Sequence, residues 1–238
     1  MARPTMDIDV LGRTRGTAEV LVPIIRECMV MKVPDDGMEF DARSITTQAI
    51  TLDDDYQGWR IRFRGGLGKA RVVLQVDVGI GDVVYPSPIW IDYPTLLHQP
   101  APRLLVYPPE SAIAEKYQAM VELDKANSRM KDFHDLWTLA RHLNFQGSIL
   151  SESIRRTFER RKTSLPDAAP LALTPDFYED KQKQTQWRAF LEKGLRSETR
   201  LNLGAVAGDL RRFLMPPTEA LNRGAPFTLE WKQGGPWR

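Results

Sequence analysis

The chain turns from a β-rich to a helical periodicity near Glu110, and this change constrains the fold more than any other feature. Before it, SITTQAITL, GWRIRFRGGL, ARVVLQVDVGIG and PIWIDYP alternate apolar and polar residues and are broken by DDD, GG and SP. That is the pattern of strands and turns over residues 38–93, and RLLVYP (103–108) is a further short strand. After it, ESAIAEKYQAMVEL, SRMKDFHDLWTLARHL, SILSESIRRTFERRKT, TQWRAFLEKGL and VAGDLRRFLM space their apolar residues helically. Proline-rich joints at 166–175 and 216–217 are expected to interrupt these helices. Ahead of the β-rich part, MDIDVLG reads as a strand stopped by Gly12, and residues 17–31 as a helix containing Pro23. The tail PFTLEWKQGGPWR reads as a strand or an ordered extension. The expected class is α+β: a mixed sheet with flanking helices, then a mainly helical C-terminal region. The expected domains are residues 1–126 and 127–238, with the second contributing to the active site.

Composition narrows the setting. The 238 residues are 42% hydrophobic and 27% charged, which suits one large or two small globular domains. A single cysteine, Cys28, excludes an internal disulfide and a cysteine-rich metal site. No apolar run is long enough to span a membrane, and no apolar segment near Met1 resembles a secretion signal, so a cytoplasmic protein is expected. The net charge is +2, yet the first half is acidic and the second basic. A metal site beside a surface for a polyanion would produce that asymmetry, and so would chance clustering of solvated charge.

Carboxylates carry the chemistry. In a strand, residues two apart share a face, so Asp7 and Asp9 point the same way and Ile8 and Val10 point the other, where a helix could cover them. A solvated strand face is the ordinary explanation of an isolated D-x-D. Divalent cations are the alternative, because Mg²⁺ takes hard oxygen ligands from one or two carboxylates and substrate phosphates. Asp77 strengthens that alternative. It lies deep in the apolar run ARVVLQVDVGIGD, where an unpaired carboxylate is costly. Near the first two it could complete a two-metal triad. Asp82, after Gly79 and Gly81, reads as a loop residue.

The stretch YPPESAIAEKYQAMVELDKANSRMKDFHDLW adds a second group. Pro109, Glu110 and Ser111 form a helix start. Lys116, set among alanines and an aromatic, offers a point charge for phosphate or is a plain surface lysine. Asp132 and Asp135 fall three apart on one helical face, with Arg129 and Lys131 close by.

Together, RPTMDID, VDVGIGDVVYP and the long YPPESAIAEKYQAMVELDKANSRMKDFHDLW stretch resemble the AbiEii-type nucleotidyltransferase toxins of bacterial type IV toxin–antitoxin and abortive-infection systems. The resemblance is close over residues 3–142 and looser beyond. It implies a nucleotidyltransferase fold, Mg²⁺, an NTP substrate and a cognate antitoxin from an adjacent gene. It makes Asp7 and Asp9 the metal-binding D-x-D, with Asp77 the candidate third metal ligand. Lys116 matches the lysine expected near the nucleotide phosphates, and Asp132 the aspartate of K-D-F, expected to be essential. Arg129, Lys131 and Asp135 are supporting substrate-binding positions. His134 stands where the family often has an aromatic and is expected to be a partly exposed helix histidine.

Family members carry a Gly-Gly or Gly-Ser loop ahead of D-x-D, after a first strand and helix. Only six residues precede Asp7, so that loop is expected to lie upstream of Met1 or to be missing from a shortened homologue. Gly65-Gly66 is expected to be a hairpin turn instead. The implied reaction is transfer of a nucleoside monophosphate from an NTP to RNA, tRNA being favoured, or to protein. Arg155 and Arg156 in IRRTFERRKT are candidate RNA-backbone contacts, or else part of a solvated helix face. Two alternatives stand beside it: an impaired homologue that binds RNA or the antitoxin without catalysis, and a phosphotransferase using the same metal logic.

Overall fold

The computed structural model describes residues 7–12, 16–53, 56–95, 100–194 and 201–238. The start of RPTMDID and the end of the DDD break lie outside the described residues. The chain forms two compact units, Met1–Asp82 and Val83–Arg238.

The first unit is a mixed sheet with one helix. Its elements are β1 (Ile8–Gly12), α1 (Ala18–Val30), β2 (Met38–Asp53), β3 (Tyr56–Leu67) and β4 (Ala70–Ile80). The strand order is β1-β4-β3-β2, with β1 parallel to β4 and the other pairs antiparallel. Alternation along the strands assigns the two faces. Ile61, Val76 and Val78 pack with Leu21 of α1, and Ile25, Ile45, Trp59 and Phe63 join them. Asp77, Gln75, Arg60 and Arg62 occupy the opposite face. By register Ile8 and Val10 belong on the apolar face, yet they are 54% and 44% exposed, so among the described residues the helix cover expected for them is incomplete.

Gly65 and Gly66 are not the hairpin turn. Both are paired residues inside β3, and the turn falls at Gly68, whose φ of +56° suits glycine. What they provide is close approach: a Cβ on Gly65 would meet Leu74 at 2.9 Å.

The second unit opens with a two-stranded ribbon, β5 (Ile89–Asp92) and β6 (Arg103–Val106). Then come α2 (Pro109–Leu123), α3 (Met130–His142), β7 (Phe145–Gln146), α4 (Gly147–Arg160), α5 (Pro175–Tyr178), α6 (Lys181–Gly194), α7 (Leu203–Asn222) and β8 (Glu230–Trp231). Ile113 and Tyr117 of α2, Phe133 and Leu136 of α3, Leu150 and Ile154 of α4, and Leu210 and Phe213 of α7 meet in one core. The α+β class and the mixed sheet with following helices are as expected. Among the described residues no helix is long and apolar enough to cross a membrane.

The expected break at Pro216–Pro217 does not occur, because α7 runs through both prolines. Pro217 has no N–H to give the carbonyl of Phe213. The indole Nε1 of Trp237 donates to that carbonyl instead, at 2.9 Å. The tail is therefore an ordered extension. Its β8 pairs with β7, and Trp231 donates to the Ala140 carbonyl at the end of α3, at 2.7 Å.

Candidate active site

The register of the first unit gathers three carboxylates. Asp9 of β1 lies opposite Asp77 of β4, and Asp77 lies opposite Arg60 of β3. One oxygen each of Asp7, Asp9 and Asp77 falls within a 4.8 Å group; Asp9 is exposed and the other two are half-buried. The residues fit a divalent cation: three hard oxygen donors crowd one face, where like charges repel unless a cation sits among them. Asp82 lies in the loop after β4 and is not among them.

Sequence reasoning missed the cation already present in that row. Arg60 grips Asp77 with two parallel bonds, Nε to Oδ1 at 2.9 Å and Nη2 to Oδ2 at 2.8 Å. Gln75 Nε2 adds a third contact to Oδ2 at 3.2 Å. The hydrogen bonds to Asp77 hold the Arg60 guanidinium above its usual pKa; burial opposes this, and the charges of Asp77, Asp7 and Asp9 add to it. The signal was available, since the arginines of GWRIRFRGGL recur every second residue and so share one strand face.

The second unit gathers the other group. Lys116 Nζ, on α2, donates to Asp132 Oδ1 at 2.9 Å and to Asp135 Oδ2 at 3.1 Å, both on α3. Arg129 Nε meets the other oxygen of Asp132 at 2.6 Å. The Asp132 side chain is 3% exposed, so its charge is balanced by two cations rather than by water. Burial pulls the Lys116 pKa down, but Asp132 and Asp135 outweigh it and hold the ammonium above its ordinary value. Arg129 and Lys131 line an open depression with Ser128, Met130, Gln186, Ala189 and Phe190.

His134 corrects an expectation. It is 2% exposed and packs among the rings of Trp137 and Phe190, because the buried face of α3 is wide enough to include it. Arg155 and Arg156 lie on α4, where Arg155 pairs with Glu152 and Glu159, and Arg156 pairs with Glu152. Arg156 also stacks over Tyr85 at 4.3 Å. The hydrogen bond from Arg155, with help from Arg156, takes the Glu152 pKa down to about 2. Lys183, unremarked in the sequence, is buried, donates to the Asn127 carbonyl at 2.8 Å and sits over Phe177.

Comparison with known proteins identifies the family. Two Helicobacter pylori structures are similar at 15% identity: JHP933, with a TM-score of 0.45 over 93% of this chain and 82% of that one, and a candidate nucleotidyltransferase, with a TM-score of 0.46 over 90% and 81%. A search of curated proteins gives no match. The model of the nucleotidyl transferase AbiEii toxin family, type IV toxin–antitoxin system, matches residues 1–213. The chain belongs to the AbiEii nucleotidyltransferase toxin family.

Proposed function

We propose that this protein transfers a nucleoside monophosphate from an NTP to an RNA acceptor, with tRNA favoured, in a Mg²⁺-dependent reaction held in check by a cognate antitoxin. The acceptor hydroxyl oxygen bonds to the α-phosphorus, the bond to the β-phosphate bridge breaks, and pyrophosphate leaves. The observation that carries the reading is the convergence of Asp7, Asp9 and Asp77 on one face of the sheet. These three carboxylates would hold Mg²⁺, which would supply charge neutralisation at the phosphates and activation of the acceptor hydroxyl. Arg60 fixes Asp77 in orientation. In this reading Lys116 serves the nucleotide phosphates as one member of a charge-balanced cluster, its ammonium kept protonated and placed by Asp132 and Asp135. Arg129 and Lys131 contact substrate from their open depression. Arg155 and Arg156, whose charges are spent on Glu152 and Glu159, add little to the RNA reading.

The test is incorporation of α-labelled NTPs into total tRNA or protein, with product analysis for pyrophosphate. Wild-type protein should label RNA only with Mg²⁺ present, and D9N and D77N should each lose at least about a hundredfold in rate. Label appearing in protein alone would move the acceptor to protein. Release of NDP instead of pyrophosphate would make the chain a phosphotransferase. Mg²⁺-dependent NTP binding without any transfer would leave it a binding protein.

A further inference from the structure

The sequence WRIRFRG in β3 sends Arg60, Arg62 and Arg64 to one face of the sheet, and Ile61 and Phe63 to the other. That face is the carboxylate face. Across the strands, one row holds Asp9, Asp77 and Arg60, and the next carries Gln75 and Arg62. Arg64, opposite Val73, extends the line one row further. Arginines two residues apart on a strand are about 6.8 Å apart, the scale of successive phosphates along an extended nucleic-acid strand.

The three differ in how firmly they are engaged. Arg60 is committed to Asp77 through two short bonds. Arg62 is exposed, and among the described residues it meets only a neutral amide there, its Nε donating to Gln75 Oε1 at 2.8 Å. Arg64 pairs with Asp41 at 3.3 Å, with side chains 66% and 46% exposed, a pair that a phosphate can displace at little cost. The neighbouring strand adds exposed Thr46 opposite Arg62 and Gln48 opposite Arg60, neutral groups able to meet riboses. A line of cations that starts in the carboxylate row and leads away from it suits a polyanion whose end lies at the carboxylates.

We infer that Arg62 and Arg64 form a phosphate track on β3 that holds the backbone of a single-stranded RNA with its terminus at Asp7, Asp9 and Asp77. This rests on the transfer reading above for what happens at that terminus, and it puts the RNA contact on β3 rather than on α4, where Arg155 and Arg156 are neutralised by neighbouring glutamates.

The experiment is fluorescence anisotropy of a labelled single-stranded oligoribonucleotide on the full chain, without NTP, across a salt series. R62Q/R64Q should weaken binding about tenfold or more at low salt and flatten the log K against log salt slope by about 1.4, two phosphates' worth on a single strand. R62K/R64K, which keeps the charge, should retain most of the affinity. Crosslinking of a 4-thiouridine oligoribonucleotide to wild-type protein should label residues 57–67, which tests the track without any substitution. An unchanged slope in R62Q/R64Q, a larger loss in R155Q/R156Q, or crosslinks confined to α4 would overturn the proposal. So would an equal loss of Mg²⁺–ATP binding in R62Q/R64Q, since the track would then serve the nucleotide. Because NTP is omitted, a chain that binds the strand through β3 but transfers nothing would sink the transfer reading and leave the track standing.

Discussion

Asp132 shows how a residue can be legible in type and illegible in role. Its place in K-D-F marks it in the sequence, but spacing alone could not distinguish a surface pair with Arg129 from a buried hub. The structure gives it two cationic partners and almost no exposure. Removing Lys116 would leave a buried carboxylate facing Arg129 alone. K116M should therefore cost about 3 kcal/mol of stability, measured by urea denaturation, whereas D132N, which removes the charge and keeps the shape, should cost less. Equal stability of K116M and wild type would refute the hub. The same cluster has a pH signature. Lys116 is raised above its unfolded value of 10.5, so its stabilisation is complete below that pH and fades as pH climbs through the folded value. Tyr117, beside it in sequence, is raised to about 12 by burial, with its hydrogen bond to Thr218 opposing. Between pH 10 and about 12 the unfolded chain loses the Tyr117 proton while the folded chain keeps it, so stability falls as pH rises. Y117F should remove up to about 2–3 kcal/mol of that alkaline loss, read as the difference in urea midpoint between neutral and strongly alkaline buffer. A wild-type alkaline loss matched by Y117F would show that the phenol does not titrate late.

Elements are where sequence and structure part most clearly. Period-two alternation reveals β3 and β4 and assigns Asp77 to a polar face, because only local chain geometry is needed. It cannot reveal that β1 runs parallel to β4 with Asp9 opposite Asp77, since register is set by distant strands. Gly65 and Gly66 resemble a turn for the same reason: what makes them strand residues is the closeness of Leu74 and Arg71 across the sheet. Helix α7 is the sharpest case. Two prolines in sequence order predict a stop, yet the carbonyl that Pro217 strands is answered by Trp237, far along the chain. W237F should thus leave Phe213 without its acceptor's partner and cost about 1–3 kcal/mol. P217A restores a backbone N–H aimed at the same carbonyl. The two changes should be non-additive, with P217A recovering part of the W237F loss in thermal unfolding. Strict additivity would mean that the indole and the missing amide do not compete for one acceptor.

At the scale of the whole molecule, the two units differ in how much core they own. In the second, aromatic and aliphatic side chains of α2, α3, α4 and α7 bury one another completely, and Phe213 is enclosed by Phe145, Trp231 and Trp237. In the first, Leu21, Ile61, Val76 and Val78 carry the core, while Val20, Ile24, Ile8 and Val10 stay between 44% and 54% exposed. Burial is the main favourable term in folding, so the carboxylate row proposed to hold the cation stands on the less stabilised unit. Its charges sharpen the point, because Asp7 and Asp9 crowd Asp77, to which Arg60 is bonded. If the carboxylate row is the proposed cation site, divalent cations bind the folded sheet and not the unfolded chain, so they should stabilise this unit by mass action. Hydrogen exchange should accordingly show β1 and β4 exchanging well before α2, α3 and α7 in metal-free buffer. Mg²⁺ or Mn²⁺ with NTP should slow exchange in β1 and β4, and D77N should abolish that protection while leaving the helical core unchanged. Protection that survives D77N would mean that the carboxylate row is not where the cation binds.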